Sequence, residues 1–177
     1  MATSSDSSTW VIKEAKLIPY GHPHKSLGQK LRKVRNTILW NWAYRCPLNG
    51  LRVLFHRMRG VHIGKGVYIG RYCFLDNMYP EYIYIYDGAS INAQCMLLTH
   101  FNPYEVWKGI FNAEVKPVVI EKDAIVAVRC TIMPGVTIGE RAVVSSGCTV
   151  EQSVPACHMV QSSSKLKSIN LTALIKQ

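Results

Sequence analysis

Aliphatic residues recur every six positions from Ile120 to Val150, at Ile120, Val126, Ile132, Ile138, Val144 and Val150. Four residues after each of the first five stands a small or branched residue, Ala124, Cys130, Val136, Ala142 and Cys148, and the positions between are mostly polar or Gly. A period of six fits neither an amphipathic helix nor the simple alternation of one long strand. It fits an all-β solenoid of short strands, in which each aliphatic points inward and each turn swings the chain onto the next face. Three hexads close one three-sided coil, so residues three hexads apart should stack.

The rhythm extends upstream through Ile63, Ile69 and Leu75, then through Ile85, Ile91 and Leu97, with two breaks. Leu75 to Ile85 is ten residues and Leu97 to Ile120 is 23, where six would continue the pattern. Sorted by face, Ile63, Ile85, Ile120 and Ile138 share one side, Ile69, Ile91, Val126 and Val144 the second, and Leu75, Leu97, Ile132 and Val150 the third. Both insertions therefore leave the same corner of neighbouring coils, and insertions stacked on one edge of a repeat protein usually build its working surface. The shorter carries Asp76, Asn77 and Glu81; the longer, loop 98–118, opens with Thr99 and His100 and carries Trp107. The Asp76 corner should lie one coil below His100.

Before the repeat, Leu27, Leu31, Val34, Ile38 and Trp42 form one stripe of a helix backed by Lys30, Arg32, Lys33 and Arg35. Pro47 to Gly50 breaks it, and Leu51, Leu54, Phe55 and Met58 continue as a second helical pattern. The first coil of a solenoid needs covering, so these helices read as a cap or a docking surface. A basic face opposite Ile38, Leu39, Trp40 and Trp42 also suits an anionic membrane surface, a possible peripheral association through residues 27–58. The chain thus divides into 1–59, an N-terminal extension with basic amphipathic helices; 60–155, the β-solenoid; and 156–177, a tail. Residues 1–9 read as disordered. In the tail the repeat decays after Val150; Leu171, Leu174 and Ile175 have helical spacing while Ile169, Leu171, Ala173 and Ile175 alternate as in a strand, and a C-terminal helix over the last coil is the expectation because terminal repeats need covering.

Composition changes this picture little. With 48% apolar and 18% charged residues, the 177-residue chain is ordinary for one soluble domain. No segment reads as a membrane span or signal peptide. The net charge of +10 is concentrated between Ala15 and Leu75, where there is no Asp or Glu; it lies beside no nucleic-acid motif, so no nucleic-acid partner is expected. Cys73, Cys95, Cys130 and Cys148 occupy the small inward slot, which makes them core fillers of a reduced, cytoplasmic protein. No Cys/His spacing suggests a metal site.

Catalysis by a dry aliphatic prism must come from polar groups on its edge. His100 is the only histidine placed at an insertion; His22, His24, His56, His62 and His158 sit in capping or terminal segments and read as solvated. Imidazole can take a proton from a hydroxyl at neutral pH, which makes His100 the candidate general base. Asp76 is the candidate acceptor anchor or His100 orienter, against the alternative of a turn-capping aspartate. Glu81 and Asn92 are lesser substrate-binding candidates, Asn92 equally readable as a corner-satisfying amide.

The segments IGKGVYIGRYCFLD, MYPEYIYIYDGASINAQCMLLTH and KPVVIEKDAIVAVRCTIMPGVTIGERAVVSSGCTVEQSVP resemble the hexapeptide-repeat acyltransferases, including the maltose, galactoside and polysaccharide O-acetyltransferases. The resemblance implies a left-handed parallel β-helix, acetyl-CoA as co-substrate, no metal, and a homotrimer with its sites between subunits. It puts the base at Thr99-His100 and implies direct transfer to a hydroxyl of a sugar or glycan precursor. It also implies CoA binding at the stacked corners Val128 and Ser146 and at Lys165 and Lys167. Ile125 and Val128 depart from the Trp and small residue usual there, and the tail lacks the usual Asn-Pro. An N-acetyltransferase of an amino-sugar nucleotide needs the same base and stays open, as does a non-catalytic β-helix scaffold. A β-helical carbonic anhydrase would need further histidines on the edge that holds His100.

Overall fold

The computed structural model describes residues 10–20 and 26–162. A short strand β1 (Lys16–Leu17) is followed by helices α1 (Leu27–Arg45) and α2 (Asn49–Met58). The first coil is β2 (His62–Ile63), β3 (Tyr68–Ile69) and β4 (Phe74–Leu75), and the second is β5 (Ile83–Ile85), β6 (Ser90–Ile91) and β7 (Met96–Leu97). An excursion then carries β8 (His100–Phe101) and β9 (Glu114–Val115). The third coil is β10 (Val118–Ile120), β11 (Ile125–Val126) and β12 (Thr131–Ile132), and the fourth is β13 (Thr137–Ile138), β14 (Val143–Val144) and β15 (Thr149–Val150). A last strand, β16 (Met159–Val160), begins another pass.

Each pass adds one strand to each of three parallel sheets, ordered β13-β10-β5-β2, β16-β14-β11-β6-β3 and β15-β12-β7-β4. The register is the one the hexads predict. Ile63 pairs with Ile85, then Ile120 and Ile138; Ile69 with Ile91, Val126 and Val144; Leu75 with Leu97, Ile132 and Val150. These aliphatics are buried, as are Cys73, Cys95, Cys130 and Cys148. All six cysteines are free thiols. One corner column is built on left-handed residues, Tyr72, Gln94, Arg129 and Gly147, with φ of 61°, 63°, 59° and 74°. That backbone costs a non-glycine residue about 1 kcal/mol, offset here by ladder bonds such as Arg129 N–H to the Ala93 carbonyl at 3.1 Å.

The first coil would leave a row of unpaired carbonyls at its open end. Three arginines of the α2 region reach one sheet each. Arg57 donates to the Ile63 and Gly64 carbonyls, with Nη2 at 3.0 and 2.7 Å. Arg52 Nε donates to Ile69 O at 2.7 Å, and Arg59 Nη2 to Leu75 O and Asp76 O at 3.0 and 2.7 Å. Asn49 adds both halves of its amide, to Val67 O and from Ile69 N–H, each at 3.0 Å. Part of the basic excess therefore satisfies backbone rather than meeting solvent. His56 is buried at 1% exposure with Nδ1 3.0 Å from Arg59 Nη1, which corrects its reading as a solvated residue. Burial, then the charges of Arg59 and Arg52, pushes its pKa down to about 3, so it is neutral and accepts from Arg59. Burial also lowers Arg59, to about 10, against the opposing pull of Asp76.

The stripe Leu27, Leu31, Val34, Ile38 and Trp42 turns away from the sheets, each residue 46% to 74% exposed. Asn36, Leu39 and Ala43 face inward instead, and Trp40 meets Phe74 edge-on. In α2 the buried residues are Arg52, Val53 and His56, while Leu51, Leu54 and Met58 are exposed. Loop 98–118 contains structure: β8 and β9 pair antiparallel, and β1 joins β9. The repeat also outlasts Val150, since Val154 bridges to Ile138 and Met159–Val160 pairs with Val143–Val144. The expected disorder of residues 1–9 and the expected C-terminal helix fall outside the described residues.

Two predictions follow from this packing. Ile132→Ala should lower unfolding free energy by about 2–5 kcal/mol in urea denaturation, whereas Ile125→Ala, outward and 42% exposed, should change it by less than about 0.5 kcal/mol; equal losses would contradict the inward assignment. Because His56 is lowered in the fold, the unfolded chain takes up a proton below about pH 6.5 that the folded chain refuses. Its contribution is complete above that pH and fades as the pH falls toward 3, by at most about 1.4 kcal/mol per pH unit. Denaturation between pH 6.5 and 5 should show this slope, and His56→Gln should flatten it; an unchanged slope in the variant would count against a buried neutral His56.

Candidate functional site

The two insertions meet where Leu75 lies beside Leu97. Asp76 follows Leu75 and is held in the ladder, its N–H donating to Leu97 O at 3.0 Å. Its carboxylate has no exposed surface. Oδ1 accepts from Met78 N–H at 2.8 Å and Tyr79 N–H at 3.3 Å, closing the turn that leads into the 3₁₀ segment Pro80–Tyr82. Oδ2 accepts from Thr99 N–H at 3.0 Å and lies 2.8 Å from Thr99 Oγ1 and 2.5 Å from His100 Nδ1. Burial alone would raise the Asp76 pKa, but the bonds from His100 and Thr99 outweigh it and leave the carboxyl below its ordinary value. Asp76 is thus both a turn cap and the partner of His100.

An ionised Asp76 selects the His100 tautomer with the proton on Nδ1, which leaves the Nε2 lone pair to accept one from a ligand. The imidazole is 27% exposed, and the Tyr79 ring stands edge-on to it at 5.5 Å. His100 sits opposite Val115 in the small sheet, and Lys16 sits opposite the same Val115 from the other side. Directly paired residues share a sheet face, so Lys16 and His100 project the same way. Lys16 Nζ is 5.8 Å from the Tyr79 ring centre. Arg59 supports the corner from below by holding the Asp76 carbonyl.

Glu81 lies nearby at the rim of a groove against α1, where its Oε1 is 3.7 Å from Arg32 Nη1. The other candidates are on a different edge. Asn92 follows β6, and its side-chain amide donates to Val126 O at 3.1 Å, the corner-satisfying role. Val128, 44% exposed, and exposed Ser146 stack at that same corner. One chain therefore gathers Asp76, Thr99, His100, Tyr79 and Glu81, and separately Asn92, Val128 and Ser146. Lys165 and Lys167 lie outside the described residues. Among the described residues no three His, Cys, Asp or Glu side chains cluster as a metal site would require. Sequence reasoning missed Lys16 and Arg59. The i, i+4, i+7 spacing of Arg52, His56 and Arg59 on one helical face was the available signal for the second; nothing local marked the first.

Residues 117–152 match the bacterial transferase hexapeptide family (six repeats). "Putative acetyltransferase YvoF" of Bacillus subtilis (strain 168) is 29% identical over 129 residues, covering 71% of this chain and 70% of that protein. Among solved structures, a hexapeptide-repeat acetyltransferase of Vibrio cholerae O1 biovar eltor complexed with acetyl-CoA superposes with a TM-score of 0.55 at 23% identity, over 78% of this chain and 86% of that one. A galactoside acetyltransferase in complex with CoA gives 0.59 at 16% identity, over 77% and 79%. The maltose O-acetyltransferase of Clostridium difficile 630 gives 0.53 at 17%, over 76% and 83%. These structural likenesses show a common fold. The segment matched by the family model coincides with the unbroken hexads from Ile120 to Val150 that build the last coils of the three parallel sheets.

Proposed function

We propose that this chain is an acetyl-CoA-dependent O-acetyltransferase, transferring an acetyl group to a hydroxyl of a sugar or glycan precursor on a left-handed parallel β-helix. The observation that carries the reading is the contact of buried Asp76 with His100 Nδ1 at the corner where both insertions emerge. His100 Nε2 accepts the proton of the acceptor hydroxyl as its oxygen attacks the thioester carbonyl. The tetrahedral oxyanion is stabilised by a backbone N–H. Its collapse breaks the carbon–sulfur bond, and protonated His100 returns its proton to the departing thiolate, so the products are the acetyl ester and free CoA. Asp76 orients the imidazole and stabilises its protonated form without taking the proton, the role an aspartate plays beside a catalytic histidine.

In this reading the chain works as a homotrimer. His100 and the Val128–Ser146 corner occupy different edges of one subunit, so a neighbour's corner would carry the pantetheine arm to His100, with Lys165 and Lys167 toward the nucleotide. Coenzyme-bound relatives of the same fold support acetyl-CoA as the donor. His100→Ala should lower acetyl transfer by about 10²–10⁴-fold, read by thiol release, while leaving acetyl-CoA affinity unchanged; full activity would eliminate His100 as the base, and no activity in either protein toward any acceptor would favour a scaffold.

Among the described residues no helix is long and apolar enough to cross a membrane. The reading places the protein in the cytoplasm, with the outward stripe of α1 resting on the inner membrane face. Exposed Lys30, Arg35 and Arg45 flank that stripe, and no acidic residue lies between Ala15 and Leu75. Like charges would meet if two copies paired through this face, whereas an anionic bilayer complements both the stripe and its flanks. Anionic vesicles should pull the protein down at low salt and release it at high salt; exclusion from vesicles at both would remove the membrane role.

A further inference from the structure

A groove of about 570 Å³ separates α1 and β1 from the segment after β4. Lys16, Arg32 and Lys33 line it, with Glu81 the one acidic residue in its wall among the described residues. Arg32 and Glu81 do not neutralise one another tightly. Their 3.7 Å separation is too long for a hydrogen bond and the Arg32 side chain is 52% exposed, so its guanidinium remains free to take a ligand. Three cations against one carboxylate leave the groove positive.

The groove adjoins His100. Asn77 and Tyr79 line it and follow Asp76 in the chain, and Tyr79 touches both the Lys16 ammonium and the His100 ring. Lys16 and His100 are separated by two strand spacings on one sheet face, on the order of 10 Å, roughly the span of a sugar ring and an attached phosphate. Asn77 Oδ1 is buried and has no hydrogen-bond partner among the described residues, while its amide nitrogen donates to Thr37 Oγ1 at 3.1 Å. A buried acceptor without a donor is costly to the fold, and a ligand hydroxyl would satisfy it.

We infer that this groove binds the phosphate or diphosphate of an acceptor whose sugar then extends to His100. The substrate class is a phosphate-linked sugar rather than a free neutral one. Arg32, Lys33 and Lys16 hold the anion, Asn77 takes a sugar hydroxyl, and Glu81 tunes the affinity downward. The anion site stands on the groove alone; its use in acetyl transfer rests on the function proposed above. The same chemistry is offered by a nucleotide-linked or a lipid-linked sugar diphosphate, and the groove's phosphate contacts are common to both.

Isothermal titration of the full chain with inorganic pyrophosphate tests the site without catalysis. Wild type and His100→Ala should bind equally. An Arg32→Ala/Lys33→Ala double variant should bind at least about tenfold more weakly, as expected for losing two charged donors, and Glu81→Gln should bind more tightly. Both altered side chains of the double variant are exposed, and an unchanged melting transition confirms its fold. Titration with UDP-glucose and, separately, with farnesyl diphosphate distinguishes the two sources; either binding with the same Arg32/Lys33 dependence supports the inference. No pyrophosphate binding, or binding indifferent to the double substitution, would overturn it, as would acetylation of a neutral sugar at a rate the double variant does not change. Intact pyrophosphate binding with no acetylation of any phosphorylated sugar would leave the anion site standing and count against the acetyl-transfer reading instead.

Discussion

A carboxylate removed from water must be surrounded by donors, because an unpaired buried charge costs several kcal/mol. Asp76 has no exposed surface, and its two oxygens are met from both coils: Met78 and Tyr79 N–H groups from its own turn, and Thr99 and His100 from the coil above. The first two close a local turn, whereas the Thr99 and His100 contacts exist only because Leu75 and Leu97 stack in register, which puts the start of the short insertion under the start of the long one. The same carboxylate therefore ties two insertions together and fixes the imidazole, and its depressed pKa follows from those bonds outweighing burial.

The cap below that corner uses charge in a second way. Arg57, Arg52 and Arg59 satisfy carbonyls on the three sheets in turn, so the open end of the prism is closed by guanidinium groups rather than by another strand. Arg59 links this cap to the site, since the carbonyl it holds belongs to Asp76. Neutral His56 completes the arrangement by accepting from Arg59. With three arginines committed inward, Lys30, Arg35 and Arg45 remain exposed along α1, and Lys16, Arg32 and Lys33 line the groove beside Tyr79.

The solenoid and its corner were legible because a six-residue period, once interrupted, shows how far each break displaces the next aliphatic. Sorting those aliphatics by face was enough to stack Asp76 under His100. Other features lay beyond that logic. The strands β1 and β9 are two residues long and pair across more than half of the chain, so neither carries a periodic signal of its own. Helix α1 has two usable faces, and the stripe that periodicity picks out is the outward one; Asn36, Leu39 and Ala43, which turn inward, include a polar residue and show no apolar rhythm. His56 was misread because histidine in a capping helix is ordinarily wet, and only the neighbouring arginines reveal that its face is buried. Asn92, Val128 and Ser146 stack as their spacing requires, but stacking says which residues share an edge, not which edge meets His100.

The proposed chemistry turns on which His100 nitrogen bears the proton. Nitrogen-15 NMR of the labelled full chain above neutral pH reads this directly. A proton on Nδ1, hydrogen-bonded to Asp76, with an unprotonated Nε2 is the expected result, and Asp76→Ala should release that preference. A resting Nε2–H tautomer with bare Nδ1 would leave no base to deprotonate a hydroxyl and would contradict the proposed role of the Asp76–His100 pair.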